Sequence, residues 1–222
     1  MAFATLYDQA VARKGGEAAL QSLLPRVAEP GELEALGDDR YLSEITRGIF
    51  KAGFVWRVID NKWPGFEAAF DGFVPLYWQQ VPPEVIEALA KDERIVRNLQ
   101  KIRTVPENAR MIVDASREAG SFGRFLAQWP SSDQANLLLW LKRNGSRLGG
   151  NTAQYFLRRV GWDGFVLSGD VVAALRRDGL MDATPGTKKA LFQAQEAFND
   201  WQRETGLPYS HLSKIVSFTV GD

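Results

Sequence analysis

Residues 140–161 of this chain read WLKRNGSRLGGNTAQYFLRRVG: a helix-forming run, a glycine turn and a second helix-forming run, with bases on both sides of the turn. A hairpin of this kind can hold a phosphate. The N–H groups of the turn and of the second helix's first residues point outward with partial positive charge, and glycine is needed where a side chain would block their approach. On this reading Gly149, Gly150, Asn151 and Thr152 form the cradle, while Lys142, Arg143 and Arg147 add charge beside it. Between Gln134 and Trp162 the only charged residues are the five bases Lys142, Arg143, Arg147, Arg158 and Arg159. That is the local signature of a face that meets nucleic-acid phosphates. It also fits a solvated basic face and an ordinary Gly-Gly helix junction.

Elsewhere the composition mostly excludes. The chain has no cysteine and one histidine, His211. Disulfides, thiolate metal sites and a thiol nucleophile are ruled out, and His-based metal sites and most catalytic triads lack their residues. Lys+Arg and Asp+Glu both number 27, so the net charge is zero, yet residues 1–46 hold eight acids against four bases. No apolar run approaches the ~18–20 residues of a membrane span. The opening MAFATLYDQAVARKGG lacks the charged start and long apolar stretch of a secretory signal. A cytoplasmic protein without membrane contact is expected.

The elements that must position the hairpin read as helices throughout. Residues 5–24 form a helix or a helix pair broken at Gly15-Gly16, followed by a loop from Pro25 to Gly31. Asp38 or Asp39 caps a helix to about Phe54, with Leu42, Ile45, Ile49 and Ala52 at helical spacing. Val55 to Ile59 continues the apolar face, and Pro64 suits the first turn of a further helix. Pro82-Pro83 precede a short helix with Val85, Ile86 and Leu89 inward. Asn108 to Ala119 is amphipathic and closed by Gly120. Ser131-Ser132-Asp133 caps a helix over 135–142, and Ala153 to Val160 resumes after the glycine turn. Ser168-Gly169-Asp170 caps Val171 to Arg177, and Thr187 to Thr205 ends at Gly206. No alternating β-branched segment bounded by hairpin turns occurs, so the fold class is all-α.

Three segments in order carry a resemblance. Residues 41–73, especially Ala52-Gly53-Phe54-Val55-Trp56 and Phe66 to Phe73, resemble the type I 3-methyladenine DNA glycosylases, within the helix-hairpin-helix DNA glycosylase superfamily. So do residues 93–110, in Ile95, Arg97, Lys101-Ile102 and Asn108-Ala109, and the hairpin with the loop FVLSGDVV at 165–172 that follows it. The resemblance spans roughly residues 40–180. It implies one two-lobed helical domain over 1–222: a divergent N-terminal extension (1–36), a glycosylase-like core (37–180) and C-terminal helices (181–222). It further implies a monomeric, monofunctional N-glycosylase without cofactor, acting on double-stranded DNA that contains alkylated bases. In such an enzyme a damaged base is extruded from the duplex into a pocket. The family's stacking tryptophan falls on Trp56, with Phe54 beside it as a second base-binding residue. Trp56 could equally be a core aromatic.

The chain departs from the family pattern at several points. The base-reading glutamate falls on Gly48; Glu44, one helical turn earlier on the same face, is the carboxylate placed to reach in. The N-terminal tyrosine–histidine–aspartate signature is absent, and Glu29 to Asp39 is acidic instead. The structural zinc held by two cysteines and two histidines cannot form, and Asp170 stands at one of those histidine positions. The wider superfamily's catalytic aspartate aligns with Ser168, leaving Asp170 as the nearby carboxylate. Glu44 and Asp170 are therefore the catalytic candidates. The other reading is a catalytically impaired relative that binds damaged or distorted duplex without excision.

Overall fold

A computed structural model describes residues 2–221. Among the described residues every regular element is helical, as the apolar spacing predicts. The first eight α-helices are α1 (Phe3–Lys14), α2 (Glu17–Gln21), α3 (Pro30–Ala35), α4 (Asp38–Lys51), α5 (Trp56–Ala69), α6 (Pro75–Trp78), α7 (Pro83–Leu89) and α8 (Leu99–Ile102). They continue as α9 (Thr104–Ala119), α10 (Phe122–Ala127), α11 (Gln134–Asn144), α12 (Asn151–Arg159), α13 (Gly169–Arg177), α14 (Lys188–Thr205) and α15 (Tyr209–Ser217).

The chain divides into two compact units. One comprises residues up to Ala28, Trp129–Leu137 and those from Gly161 on. Its core brings Phe3 and Leu6 of α1 against Phe165, Leu175, Phe198, Trp201 and Ile215, all buried. Buried Gln134 fixes the irregular stretch after Gly161, donating to Phe165 O and accepting from Phe165 N, both at 2.8 Å. Ser168 caps α13 as read from the sequence, accepting from Val171 N, and Thr187, read there as the first residue of its helix, is the cap of α14, accepting from Ala190 N.

The other unit comprises Glu29–Gln128 and Leu138–Val160. Tyr41, Leu42, Ile45 and Ile49 form the buried face of α4. Beside it Trp63, Phe66, Phe70 and Phe73 stack, with Trp63–Phe66 centroids 4.8 Å apart and Phe70–Phe73 likewise 4.8 Å. Glu67 anchors this stack: its two oxygens accept from Arg40 Nη1 and Nη2 at 3.0 and 2.9 Å, and Oε1 also accepts from Trp63 Nε1 at 3.0 Å. Burial pushes the Glu67 carboxyl up, but hydrogen bonds from Arg40, Ser43 and Trp63 outweigh that and hold it below the usual range. A carboxyl depressed in the folded state stabilises fully above the unfolded value, about 4.3 for glutamate, and that contribution is lost as pH falls through the folded value. Acid unfolding should therefore begin below about pH 4, and Glu67→Gln should flatten that acid limb. An unchanged limb in denaturant titrations would assign the acid sensitivity to other groups.

Four local expectations are corrected. The loop from Pro25 to Gly31 gives way to α3, which starts at Pro30 with a reciprocal cap in which Glu29 N donates to Glu32 Oε2 at 2.9 Å. Helix α4 stops at Lys51, short of Phe54, where the backbone turns extended at Ala52 and left-handed at Gly53 (φ +69°), and Lys101 Nζ donates to Phe50 O and Ala52 O at 3.1 and 2.7 Å. Pro64 lies inside α5 rather than opening a new helix; it is exposed, so water can replace the ladder hydrogen bond it removes. Asp38 sits in the first turn of α4 but spends its carboxylate elsewhere, accepting from Phe122 N at 2.9 Å and Ser116 Oγ at 2.6 Å. It thereby ties α10 to α9 within this unit.

Candidate functional site

The hairpin is built by α11, the turn 145–150 and α12. Its turn is clasped from below by Asn108 of α9, fully buried, which donates to Ser146 O at 3.2 Å and accepts from Ser146 N at 2.8 Å. In the sequence Asn108 is a position matching the family and the start of an amphipathic run; its part in fixing the turn depends on packing. Gly150 has φ +58° and ψ −139° and stands at the N-cap of α12, where no side chain caps the helix. A β-carbon there would meet no atom within 4 Å, so glycine answers to the backbone angle, and the space before the helix is open. The first N–H groups of α12 have no intrahelical acceptor.

Lys142, Arg143 and Asn151 are exposed around this turn. Arg147 is exposed too, with φ +56°, and donates from Nη2 to Gln100 Oε1 at 3.0 Å. Gly149 lies against the Lys142 side chain, 3.9 Å from where its β-carbon would be. The Thr152 side chain turns toward α4, with Cγ2 3.7 Å from where a β-carbon on residue 48 would stand, and the part expected of Thr152 in the cradle is that of its backbone N–H.

A second cluster in the same unit joins the end of α4, the start of α5 and α12. The loop after α4 leaves Phe54 45%, Val55 64% and Trp56 51% exposed, which sets Trp56 apart from the core aromatics. The Tyr155 ring meets Trp56 nearly perpendicular, centroids 5.8 Å apart, and Lys51 Nζ lies 5.4 Å from the Trp56 ring. Lys51 and Arg47 both reach Asp60 Oδ1, at 2.7 and 2.6 Å. Burial raises the Asp60 carboxyl, but the hydrogen bonds from Lys51 and Arg47 prevail and lower it.

Glu44 lies one turn before Gly48, where the sequence placed it, but its carboxylate is not a free acceptor. Oε2 accepts from Arg159 Nε at 2.9 Å, and Oε1 pairs with Arg47 Nη1 at 3.3 Å. Arg159 Nη2 also donates to Glu44 O at 3.0 Å. The absence of a side chain at Gly48 makes room for this guanidinium: a β-carbon there would come within 2.5 Å of Arg159 Nη2. Arg159, read from the sequence as one of five bases along the hairpin, thus turns inward. Lys51, Tyr155 and Arg159 were not singled out for this cluster, and only their helical spacing pointed to it.

Asp170 belongs to the other unit. It is an exposed residue in the first turn of α13, where its charge suits the helix N-terminus. Among the described residues no three His, Cys, Asp or Glu side chains converge as metal ligands. His211 Nε2 lies 2.9 Å from Pro25 O, tying α15 to the chain after α2. With no cysteine and one histidine, the chain lacks the donors of the two-cysteine, two-histidine zinc site that the resemblance would imply. Purified protein should contain no stoichiometric zinc, and a chelator should leave its melting temperature unchanged. Bound zinc near one equivalent by elemental analysis would overturn this.

An all-helical chain with a glycine-turned basic hairpin and no strand among its described residues has the fold of the helix-hairpin-helix DNA glycosylases. The family model of the methyladenine glycosylases matches residues 34–161, more than half of the chain. The chain belongs to that family. Among solved structures it is similar to a 3-methyladenine DNA glycosylase I at 23% identity, with a TM-score of 0.51 over 65% of this chain and 87% of that one. It is similar to a mutant of 3-methyladenine DNA glycosylase I from Staphylococcus aureus at 21% identity, TM-score 0.52, covering 64% and 84%. It also matches the Methanocaldococcus jannaschii 8-oxoguanine glycosylase/lyase in complex with DNA at 17% identity, TM-score 0.54, over 96% of each chain. No helix among the described residues is long and apolar enough to cross a membrane.

Proposed function

We propose that this protein is a monomeric, monofunctional DNA N-glycosylase that removes alkylated purines, the class to which 3-methyladenine belongs, from double-stranded DNA in base excision repair. The observation that carries the proposal is Trp56. It is a half-exposed aromatic set in a charged cluster, in the same unit as a hairpin whose turn offers free N–H groups. The hairpin holds the backbone through Gly149, Gly150 and Asn151, with Lys142, Arg143 and Arg147 nearby. Trp56, with exposed Phe54 beside it, receives the extruded base.

Alkylation leaves the purine positively charged and a good leaving group. The C1′–N bond breaks with its electron pair passing to the base, water adds at C1′, and its proton leaves to solvent. Stacking and orientation then supply most of what the protein must add. Asp170, an exposed carboxylate of the other unit, is kept as the second catalytic candidate, and Asp170→Asn tests it. Glu44, paired on both oxygens, acts by holding Arg159. That pairing also favours the second reading, a relative that binds damaged duplex without excision. Single-turnover release of methylated bases from heavily methylated duplex separates the two, with Asp170→Asn and Glu44→Gln assayed alongside. Release above the protein-free control supports the enzyme; tight, salt-dependent duplex binding without release supports the other reading.

A further inference from the structure

Along α12, Thr152, Tyr155 and Arg159 are spaced three and four residues apart and so share one helix face. The contacts agree: Thr152 and Arg159 approach Gly48, and Tyr155 meets Trp56. Arg159 is therefore carried one turn beyond the residue that touches the exposed tryptophan. Its guanidinium passes over Gly48, where any side chain would collide with it, and is fixed by two donations to Glu44. Nη1 makes no hydrogen bond to another described residue, and the side chain is 23% exposed, which leaves Nη1 as an uncommitted donor. Around it Arg47, Lys51 and Arg159 stand against Glu44 and Asp60, and both carboxylates are already paired. The cluster is net positive and offers donors without a free carboxylate acceptor.

We propose that Arg159 is the residue that reads the extruded base, selecting alkylated purines with a carbonyl on the facing edge, the guanine type, over those with an amino group, the adenine type. This rests on the reading that Trp56 stacks the base. A guanidinium only donates. Guanine presents O6 and N7 as two acceptors that match its fork, whereas adenine presents an amino donor beside N7 and sets donor against donor. The surplus of positive charge favours the negative end of a carbonyl dipole in the same sense. One good bidentate contact separates such bases by about tenfold or more.

The test compares single-turnover release of 3-methylguanine and 3-methyladenine from methylated duplex, each normalised to its own amount. Binding of free hypoxanthine and adenine, which differ in carbonyl against amino group, is followed by ligand-observed NMR. Arg159→Lys keeps a charge beside Glu44 but loses the fork, and Arg159→Met removes both; melting curves establish that each variant is folded. The expected result is a guanine-type preference of about tenfold in wild type that mostly disappears in both variants. Equal or adenine-favouring release and binding in wild type would overturn the assignment, as would a preference that survives in Arg159→Lys. If no base is released but hypoxanthine binds ahead of adenine through Arg159, the excision reading falls while the role of Arg159 stands. If no base is released and neither free base is preferred, both fall.

Discussion

Trp56→Ala should lower single-turnover release of methylated bases by about 10- to 100-fold and leave the melting temperature nearly unchanged, the range expected when one base–aromatic stack is lost. The combination matters more than either part. Removing a core aromatic typically costs about 3–5 kcal/mol of stability, which would lower activity through unfolding. Trp56 is 51% exposed, so its removal takes little surface out of the core. Its neighbours also keep their places without it, since Lys51 remains paired to Asp60 at 2.7 Å. Trp56→Phe should recover much of the loss, because a smaller ring still stacks. If Trp56→Ala unfolds as readily as a core variant, or releases bases at the wild-type rate, the stacking role is wrong.

The second large effect concerns the hairpin. Gly150→Val should weaken duplex binding for every sequence alike, because phosphate contacts carry little sequence information. Two causes act together: the left-handed φ of +58° strains a β-branched residue, and the added side chain stands in the open space before α12. Replacing Lys142 and Arg143 by alanine should reduce the slope of log affinity against log salt by up to about two contacts' worth, near 0.9 per contact. Both side chains are exposed, so the fold should tolerate the change. Arg147 should contribute less, since part of its fork is held by Gln100 at 3.0 Å. A double variant with the wild-type salt slope would identify the basic stretch as an ordinary solvated surface.

The sequence by itself determined the elements and their chemistry where the signal is local. Apolar spacing set α4, α9 and α14, the hydroxyl cap at Ser168 set the start of α13, and Gly149-Gly150 set the hairpin turn. Each of these depends on residues within a turn or two of one another, so a linear reading can reach them. Trp56 was legible as a residue type at a matching position. Whether it was core or surface was not, because exposure is decided by what other segments cover.

Tertiary structure decided the rest through pairings between distant residues. Nothing near Lys51 announces that Lys101 will take the carbonyls at the end of α4, and Asp38 gives its carboxylate to Phe122 rather than to its own helix. Glu44 looked like a free acid and Arg159 like one more surface base, yet 115 residues apart they meet over Gly48. A lone charge gains by finding an opposite partner in a half-buried seam, and only the packing of α12 on α4 brings that partner within reach. The missing side chain at Gly48, which read from the sequence as a lost acceptor, is in the fold the opening through which a donor enters.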